Sequence, residues 1–236
     1  MGLMFGVEYI WLILPAMALT LYAQFKVKST FGKYSKLGNT NGLNGAQVAE
    51  QLLQITGITD VRIERVGGDL TDHYDPVQRV LRLSDSVYGS TSLSAVGVAA
   101  HEAGHAVQHA TGYAPLFLRS ALVPATNVSS KLAMPLIFIG ILLGSQSGTD
   151  MGGIMIQAGI LFFSMAVIFS FVTLPVEFNA SSRAVRLLDE YGILSVEEQK
   201  PVRKVLNAAA LTYVASAAVA LMQLIRLILM FGRRHQ

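Results

Sequence analysis

The sequence predicts a mainly α-helical polytopic membrane protein, with three to four transmembrane helices and a small α+β region between them. Of its 236 residues, 52% are hydrophobic and only 14% are charged, whereas a soluble domain carries about a quarter charged residues. The apolar residues are also concentrated in four segments. Segments that lie in lipid explain both observations.

Four apolar segments are candidates for membrane-spanning helices, since a helix needs about 20 apolar residues to cross the hydrocarbon. We predict spans at about 5–24, 129–147, 154–176 and 208–230. The third segment reaches this length easily, but the second reaches it only with polar residues at its ends. The predicted number of spans is therefore three to four.

The basic residues predict which side of the membrane the connections occupy. Fifteen of the 18 Lys and Arg residues lie between spans one and two, with Lys131 at the interfacial start of span two, or between spans three and four. The positive-inside rule therefore places both connections in the cytoplasm. Arg233 and Arg234 disagree, because four complete spans would place them outside. We interpret the basic residues as a surface for membrane lipids and not for nucleic acid.

The two cytoplasmic connections, 25–128 and 177–207, are predicted to form a small α+β region within a single domain of residues 1–236. Asn44 is suited to cap a helix over 46–54. Alternation of apolar and charged residues over 61–66 is typical of a half-buried strand.

Further short elements are predicted in the second half of this region. Residues 80–83 are expected to form a strand of an antiparallel sheet, and Asp72–Pro76 is expected to be a turn. Ser90–Ser92 can cap a long helix over about 93–110, which Thr111 and Gly112 end.

The long helix carries the segment His101-Glu102-Ala103-Gly104-His105, which predicts a zinc site. On a helix, His101 and His105 lie one turn apart on one face, so both imidazoles can reach one ion. Glu102 lies beside them, where it can accept a proton from the water that attacks a peptide carbonyl. The alternative is a helix whose two histidines only form hydrogen bonds.

A catalytic zinc needs a third protein ligand, and Glu177 is the best candidate. The chain has no cysteine, so the ligands must be imidazoles and carboxylates. Glu177 directly follows an apolar span, where a carboxylate is costly unless a partner stabilises it. The resulting two-histidine, one-glutamate set binds zinc in thermolysin-like peptidases. The alternative is an ion pair of Glu177 with Arg183 or Lys131.

Three segments together resemble the YugP-type neutral zinc metallopeptidases of bacterial membranes: His101–His105, Asp72–Pro76 and Glu177–Ala184. The resemblance covers nearly the whole chain. It implies a multi-pass protein of the bacterial plasma membrane, with a zincin-like cytoplasmic catalytic region and one zinc ion per chain. The expected activity is that of a zinc metalloendopeptidase, and the expected partners are protein or peptide substrates. The oligomeric state is not defined.

More distantly, the pattern is similar to HtpX and the CAAX prenyl proteases, where the glutamate ligand opens a Glu-x-x-x-Asp segment. This likeness implies that Glu177 is a ligand and places Ser181 where those relatives have Asp. That Asp orients a zinc-binding histidine, which a hydroxyl does less strongly. Asn179 is a further candidate for the orienting residue, and Arg183 is a candidate neighbour of the site.

Other polar residues give weaker signals. His109 lies one turn beyond His105 and could bind an oxyanion or face solvent. His73 and Tyr74 could stabilise a tetrahedral intermediate, although an ordinary turn is favoured. The strand at 80–83 could offer a free edge to an extended peptide.

Two other functions are compatible with a zinc site. A site-two-type intramembrane metalloprotease would place the histidine motif inside a span and use an aspartate from an Asp-Gly pair, which this sequence lacks. A membrane scaffold or adaptor could hold a structural zinc with low turnover. It would need a fourth ligand, for which His109 and His73 are the candidates.

Overall fold

Long helices and one small sheet make up the computed structural model, which describes residues 9–146 and 151–231. A 3₁₀ turn at Ile10–Leu12 precedes the first α-helix. The elements that follow in chain order are α1 (Leu14–Tyr34), α2 (Gly45–Ile55), β1 (Arg62–Val66), β2 (His73–Asp75), β3 (Val80–Ser84), α3 (Asp85–Tyr88), α4 (Leu93–Ala110), α5 (Ala114–Gln146), α6 (Met151–Glu190) and α7 (Val196–Phe231).

Four helices of the described chain are long and apolar enough to cross a membrane. They are Ile10–Tyr34, which includes α1, then Ala114–Gly144 of α5, and the whole of α6 and α7. Only 11% to 22% of their most apolar windows is buried, so most apolar side chains are free to contact lipid. The described residues of all four predicted segments lie on these helices, except Tyr9, which precedes the first, and residues 145–146, which belong to α5 beyond its candidate span. Residues 5–8 and 147 are outside the described part.

The predicted helix boundaries in the α+β region are confirmed. Asn44 and Gln47 form a reciprocal capping box at the start of α2, which satisfies two backbone N–H groups. Ser92 accepts a hydrogen bond from the Ala95 N–H at the start of α4. Gly112 follows α4 with a φ of +66°, a conformation that favours glycine.

The sheet differs from the prediction in pairing and in strand number. Its order is β1-β3-β2, and β1 is parallel to β3, whereas an antiparallel sheet was predicted. Asp72–Pro76 was predicted as a turn, but His73–Asp75 forms β2 and pairs antiparallel with β3. The prediction of a free edge at 80–83 is wrong, because β3 is the central strand.

The described residues divide into two compact units. One contains the chain up to Tyr22, Leu118–Leu174 and the chain from Tyr213. Within it, α5 and α6 approach closely, since a Cβ on Gly140 would lie 2.7 Å from the Gly152 carbonyl oxygen. Small residues allow this backbone approach between helices in lipid. The prediction of a single domain remains a prediction.

The other unit, Ala23–Phe117 with Pro175–Thr212, contains the sheet and α2 to α4. Its core is built around α4, whose Val96, Ala99 and Ala103 are fully buried. Leucines from β3 and residues at the end of α6 and the start of α7 complete the same cluster. The α4 helix is therefore held on several sides, and its polar side chains have fixed positions.

Two glycines of α4 allow neighbouring helices to approach it closely. A Cβ on Gly104 would lie 2.6 Å from the Ala180 carbonyl oxygen of α6, a distance that real Cβ atoms do not adopt. A Cβ on Gly97 would lie 3.1 Å from Val202 of α7. The element that packs tightly beside Gly104 is therefore α6.

Candidate metal centre

Three side chains that could bind a metal ion converge between α4 and α6. His101 Nε2 lies 3.2 Å from the Glu177 Oε2 atom, and His105 Nε2 lies 3.6 Å from the same oxygen. One ligand atom from each residue lies within 4.8 Å of the other two. Two imidazole nitrogens and one carboxylate oxygen are a donor set that suits zinc.

The three residues come together because of helix geometry and the close packing at Gly104. His101 and His105 project from one face of α4, with their ring centroids 4.7 Å apart and nearly perpendicular. The contact between Gly104 and Ala180 brings α6 against this face. Glu177 lies one helical turn before Ala180, so its carboxylate meets both imidazoles.

A chain of hydrogen bonds fixes which nitrogen of His105 faces the carboxylate. Arg183 Nε donates to Asn179 Oδ1. Gln108 Nε2 donates to this same oxygen and to the Val176 carbonyl. The Gln108 Oε1 atom, 3.0 Å from His105 Nδ1, must therefore accept a hydrogen bond. His105 carries its proton on Nδ1, so Nε2 has a free lone pair for a metal.

Gln108 was not among the predicted site residues, although its spacing gives a usable signal. It is completely buried and lies three residues after His105, a separation that brings side chains together on a helix. Buried amides normally have hydrogen-bond partners, and a ligand histidine is a suitable one. Asn179 was predicted to orient a histidine directly. It instead accepts a hydrogen bond from Gln108, so it is connected to His105 only through Gln108.

Ser181 is placed to orient His101. Its Oγ atom lies 3.0 Å from His101 Nδ1, so the imidazole Nε2 faces Glu177. This is the position at which the distant relatives have Asp. A hydroxyl is a weaker acceptor than a carboxylate. Ser181 nevertheless lies beside His101 Nδ1, where the likeness to those relatives implies an orienting residue.

Glu177 and His105 depend on each other electrostatically. Glu177 is only 2% exposed. Burial of the imidazole lowers the pKa of His105, but the nearby carboxylates of Glu177 and Glu102 outweigh burial and raise this pKa above its ordinary value of 6.5.

Arg183, one of the alternative partners of Glu177, directs its Nε to Asn179 and its guanidinium towards the Tyr113 ring.

Glu102 is buried beside the two histidines but is not one of the three converging side chains. It is close enough to His105 to affect its pKa. Its carboxylate forms no hydrogen bond or ion pair with any residue in the described ranges. This arrangement suits a proton acceptor that is not a metal ligand.

His109 and Tyr74 form a hydrogen-bonded pair beside a cavity away from the three converging residues. The Tyr74 hydroxyl lies 2.7 Å from His109 Nδ1, and both residues line a cavity of about 310 Å³ with Asp60 and Arg79. None of the three converging residues lines it. Burial and the Asp75 charge raise the pKa of Tyr74, so its phenol remains protonated at neutral pH. A role in oxyanion binding remains a prediction.

His73 is exposed on β2. Its Nδ1 lies 2.9 Å from the Thr71 carbonyl oxygen, and its Nε2 lies 3.4 Å from Arg82 Nη1. These are contacts of the sheet surface. A role for His73 in transition-state stabilisation has no contact in its favour and also remains a prediction.

The family described as "Putative neutral zinc metallopeptidase" matches residues 9–232. The chain belongs to this family. The match includes the histidine motif on α4 and Glu177 on α6, so the donor set that converges here lies within the part of the chain that defines the family.

A named relative supports the same assignment. The chain is 49% identical over 224 residues to the "Putative membrane protease YugP" of Bacillus subtilis strain 168. The alignment covers 94% of this chain and 96% of the relative. No solved structure matches the chain significantly.

Replacing Ser181 by Ala is expected to weaken zinc binding about tenfold, because His101 loses the group that orients its Nδ1. Ser182→Ala removes a neighbouring exposed hydroxyl and is the matched control. Zinc competition with a fluorescent chelator measures both affinities. Equal zinc affinities for the two variants would contradict the orienting role of Ser181.

Zinc affinity is expected to fall as the pH is lowered, because the imidazole of His105 must be neutral to bind a metal. The raised pKa of His105 means that a proton still competes near neutral pH. The stability of the metal-free protein depends on pH in the opposite direction. Protonated His105 stabilises the fold below its ordinary pKa, and this contribution is lost as the pH rises through the raised pKa.

Titration of the purified protein with zinc between about pH 6 and pH 8 measures the first effect, and thermal unfolding of the metal-free protein measures the second. Affinity that does not change with pH over this range would contradict the assignment of His105 as a ligand.

Proposed function

We propose that the chain is an integral membrane zinc endopeptidase that hydrolyses peptide bonds of membrane-associated or unfolded proteins. The observation that carries the proposal is the convergence of His101 Nε2, His105 Nε2 and the Glu177 carboxylate, with Glu102 next to them. Family membership and the four apolar helices support it. One zinc ion per chain is expected.

Each residue of the site has a separate task in this mechanism. When bound, zinc supplies Lewis acidity to water and to the peptide carbonyl. His101, His105 and Glu177 hold the ion. Glu102 accepts the proton that the attacking water loses and passes it to the amine that leaves. Gln108 and Ser181 keep both imidazoles in the orientation that exposes Nε2.

The number of ligands favours catalysis over a structural role. A structural zinc site normally has four protein ligands, whereas a catalytic site has three and leaves one position open. Only three side chains converge within residues 9–146 and 151–231. His109 is bonded to Tyr74, and His73 lies on the exposed surface of the sheet, so neither candidate for a fourth ligand joins them.

The nature of the third ligand also separates this site from the site-two-type alternative. Such enzymes use an aspartate from an Asp-Gly pair, whereas Glu177 lies closest to the histidines here. The histidine motif lies on α4, which is not one of the four candidate membrane spans. We therefore favour a site outside the hydrocarbon.

Extended substrates would find a free strand edge at β2. This strand pairs with β3 on one side, and no other described strand pairs with its second side. Tyr74 of β2 contacts His109 of the catalytic helix, which puts this edge beside α4. A peptide could add here as a further strand, using main-chain hydrogen bonds without a strict sequence requirement.

We propose that the site faces the cytoplasm of a bacterial cell. The unit that contains α4 and Glu177 includes most of the basic residues, which favours the cytoplasmic side. Glu177 follows the apolar part of α6 directly, so the cleft would lie near the lipid headgroups. Substrates would then be cut in cytoplasmic or juxtamembrane segments.

Glu102→Gln is expected to retain zinc and the fold but to lose about 10²- to 10⁴-fold of peptide hydrolysis, because only the proton acceptor is removed. Cleavage of an unfolded reporter protein, measured together with zinc content, tests this. Glu50→Gln changes an exposed carboxylate of α2 and is the control. Unchanged turnover of the Glu102→Gln protein would instead support the scaffold with a structural zinc.

Single cysteines test the sidedness, since the chain has none of its own. Val77 is 91% exposed in the β2–β3 connection, and Ser147 is the last residue of the predicted second span, next to the connection to span three. With an impermeant thiol reagent on intact cells, we expect labelling of Ser147→Cys and not of Val77→Cys. The reverse pattern would place the active site outside the cell.

A further inference from the structure

A groove of about 460 Å³ lies between α1 and α7, and none of the converging metal-binding residues lines it. Its volume is in the usual range for small-ligand sites. The residues that line it are Lys26, Ser29, Thr30, Lys33, Tyr34, Lys204, Asn207, Ala208 and Leu211. All belong to the same compact unit.

The lining residues have regular helical spacing on both walls. On α1, Lys26 and Lys33 lie seven residues apart, with Ser29 and Thr30 between them. On α7, Lys204 and Leu211 have the same separation. Residues at i, i+3 or i+4, and i+7 share one face of a helix. The groove is therefore formed by two continuous helix faces that are turned towards each other.

The groove is strongly basic, and the Lys33 ammonium group lies over the Tyr34 ring, 5.5 Å from its centroid. Lys26, Lys33 and Lys204 bring three ammonium groups to its walls. No carboxylate lies within 4 Å of these three groups among the residues that the structure describes. The Thr30 hydroxyl adds a hydrogen-bond donor, whereas the Ser29 hydroxyl donates to the Lys26 carbonyl oxygen. An anion with several oxygen atoms would remove the repulsion among the lysines and accept a hydrogen bond from Thr30.

The groove lies where both helices change from apolar to charged sequence. Lys26 is the first charged residue after the apolar part of α1, and Lys204 is the last before the apolar part of α7, which continues to Ile225. Ala208 and Leu211 form the wall on the apolar side of Lys204. If α1 and α7 span the membrane, the lysines lie at the depth of the lipid phosphates.

We propose that this groove binds the phosphate of an anionic phospholipid headgroup. The three lysines and the Thr30 hydroxyl contact the phosphate, and Ala208 and Leu211 contact the start of an acyl chain. A free phosphate would satisfy the lysines equally well. The apolar wall and the position of the groove on the helices favour the lipid.

Two charge-matched variants of the full-length protein in neutral detergent test the proposal. The first replaces Lys26, Lys33 and Lys204 by Gln. The second replaces Lys28, Lys36 and Lys200, three exposed lysines of the same segments that do not line the groove. Native mass spectrometry measures binding of phosphatidylglycerol and of phosphatidylcholine, whose headgroup has no net charge.

We expect the wild type and the second variant to prefer phosphatidylglycerol, and the first variant to bind it about tenfold or more weakly. Replacement of the three groove lysines by Arg should preserve binding, because the charge is kept. Single Lys26→Gln and Lys204→Gln proteins, with smaller losses, provide the test if the triple variant does not fold. Zinc content and circular dichroism report on folding independently of proteolysis.

Three results would overturn the proposal. Equal losses in the two charge-matched variants would mean that lipid is attracted by general surface charge. Binding of glycerol 3-phosphate or inorganic phosphate as tight as that of phosphatidylglycerol would identify a soluble phosphate as the ligand. Absence of any preference for phosphatidylglycerol in the wild type would exclude the site altogether. Since no measurement involves peptide hydrolysis, these results are independent of the proposed enzymatic function.

Discussion

The candidate metal centre depends on the close approach of α4 and α6 at Gly104. A side chain larger than hydrogen at this position would collide with the Ala180 carbonyl, and the helices would have to move apart. Glu177 lies on α6, whereas both histidines lie on α4, so any such movement separates the carboxylate from the imidazoles. A buried carboxylate without a partner is costly. Helix packing and the metal donor set therefore stabilise each other.

The same packing also determines which nitrogen of each imidazole faces Glu177. The hydrogen bonds from Gln108 to Val176 and Asn179 cross from α4 to α6, and they leave only the Gln108 oxygen for His105. Ser181 reaches back from α6 to His101. Each imidazole is thus oriented by a residue whose position depends on the contact between the two helices. Orienting residues of this kind strongly affect metal affinity.

Local features of the site could be predicted from the sequence, whereas long-range pairings could not. The cap at Asn44, the boundaries of α4 and the shared face of His101 and His105 depend on residues within one or two turns. The parallel pairing of β1 with β3 depends on the path of the chain between them, and a three-residue strand such as β2 has too short a pattern to be distinguished from a turn. The partners of Gln108 are 68 and 71 residues away.

The α7 helix packs against the core around α4 and also forms one wall of the basic groove. Val202 of α7 packs against α4 at Gly97, and Lys204 faces the groove only two residues later. On a helix this separation turns the two side chains to different faces. One turn of α7 therefore contacts the core around α4 and also carries charge to the boundary of the apolar segments. A ligand in the groove would therefore contact the same turn of α7 that packs against Gly97.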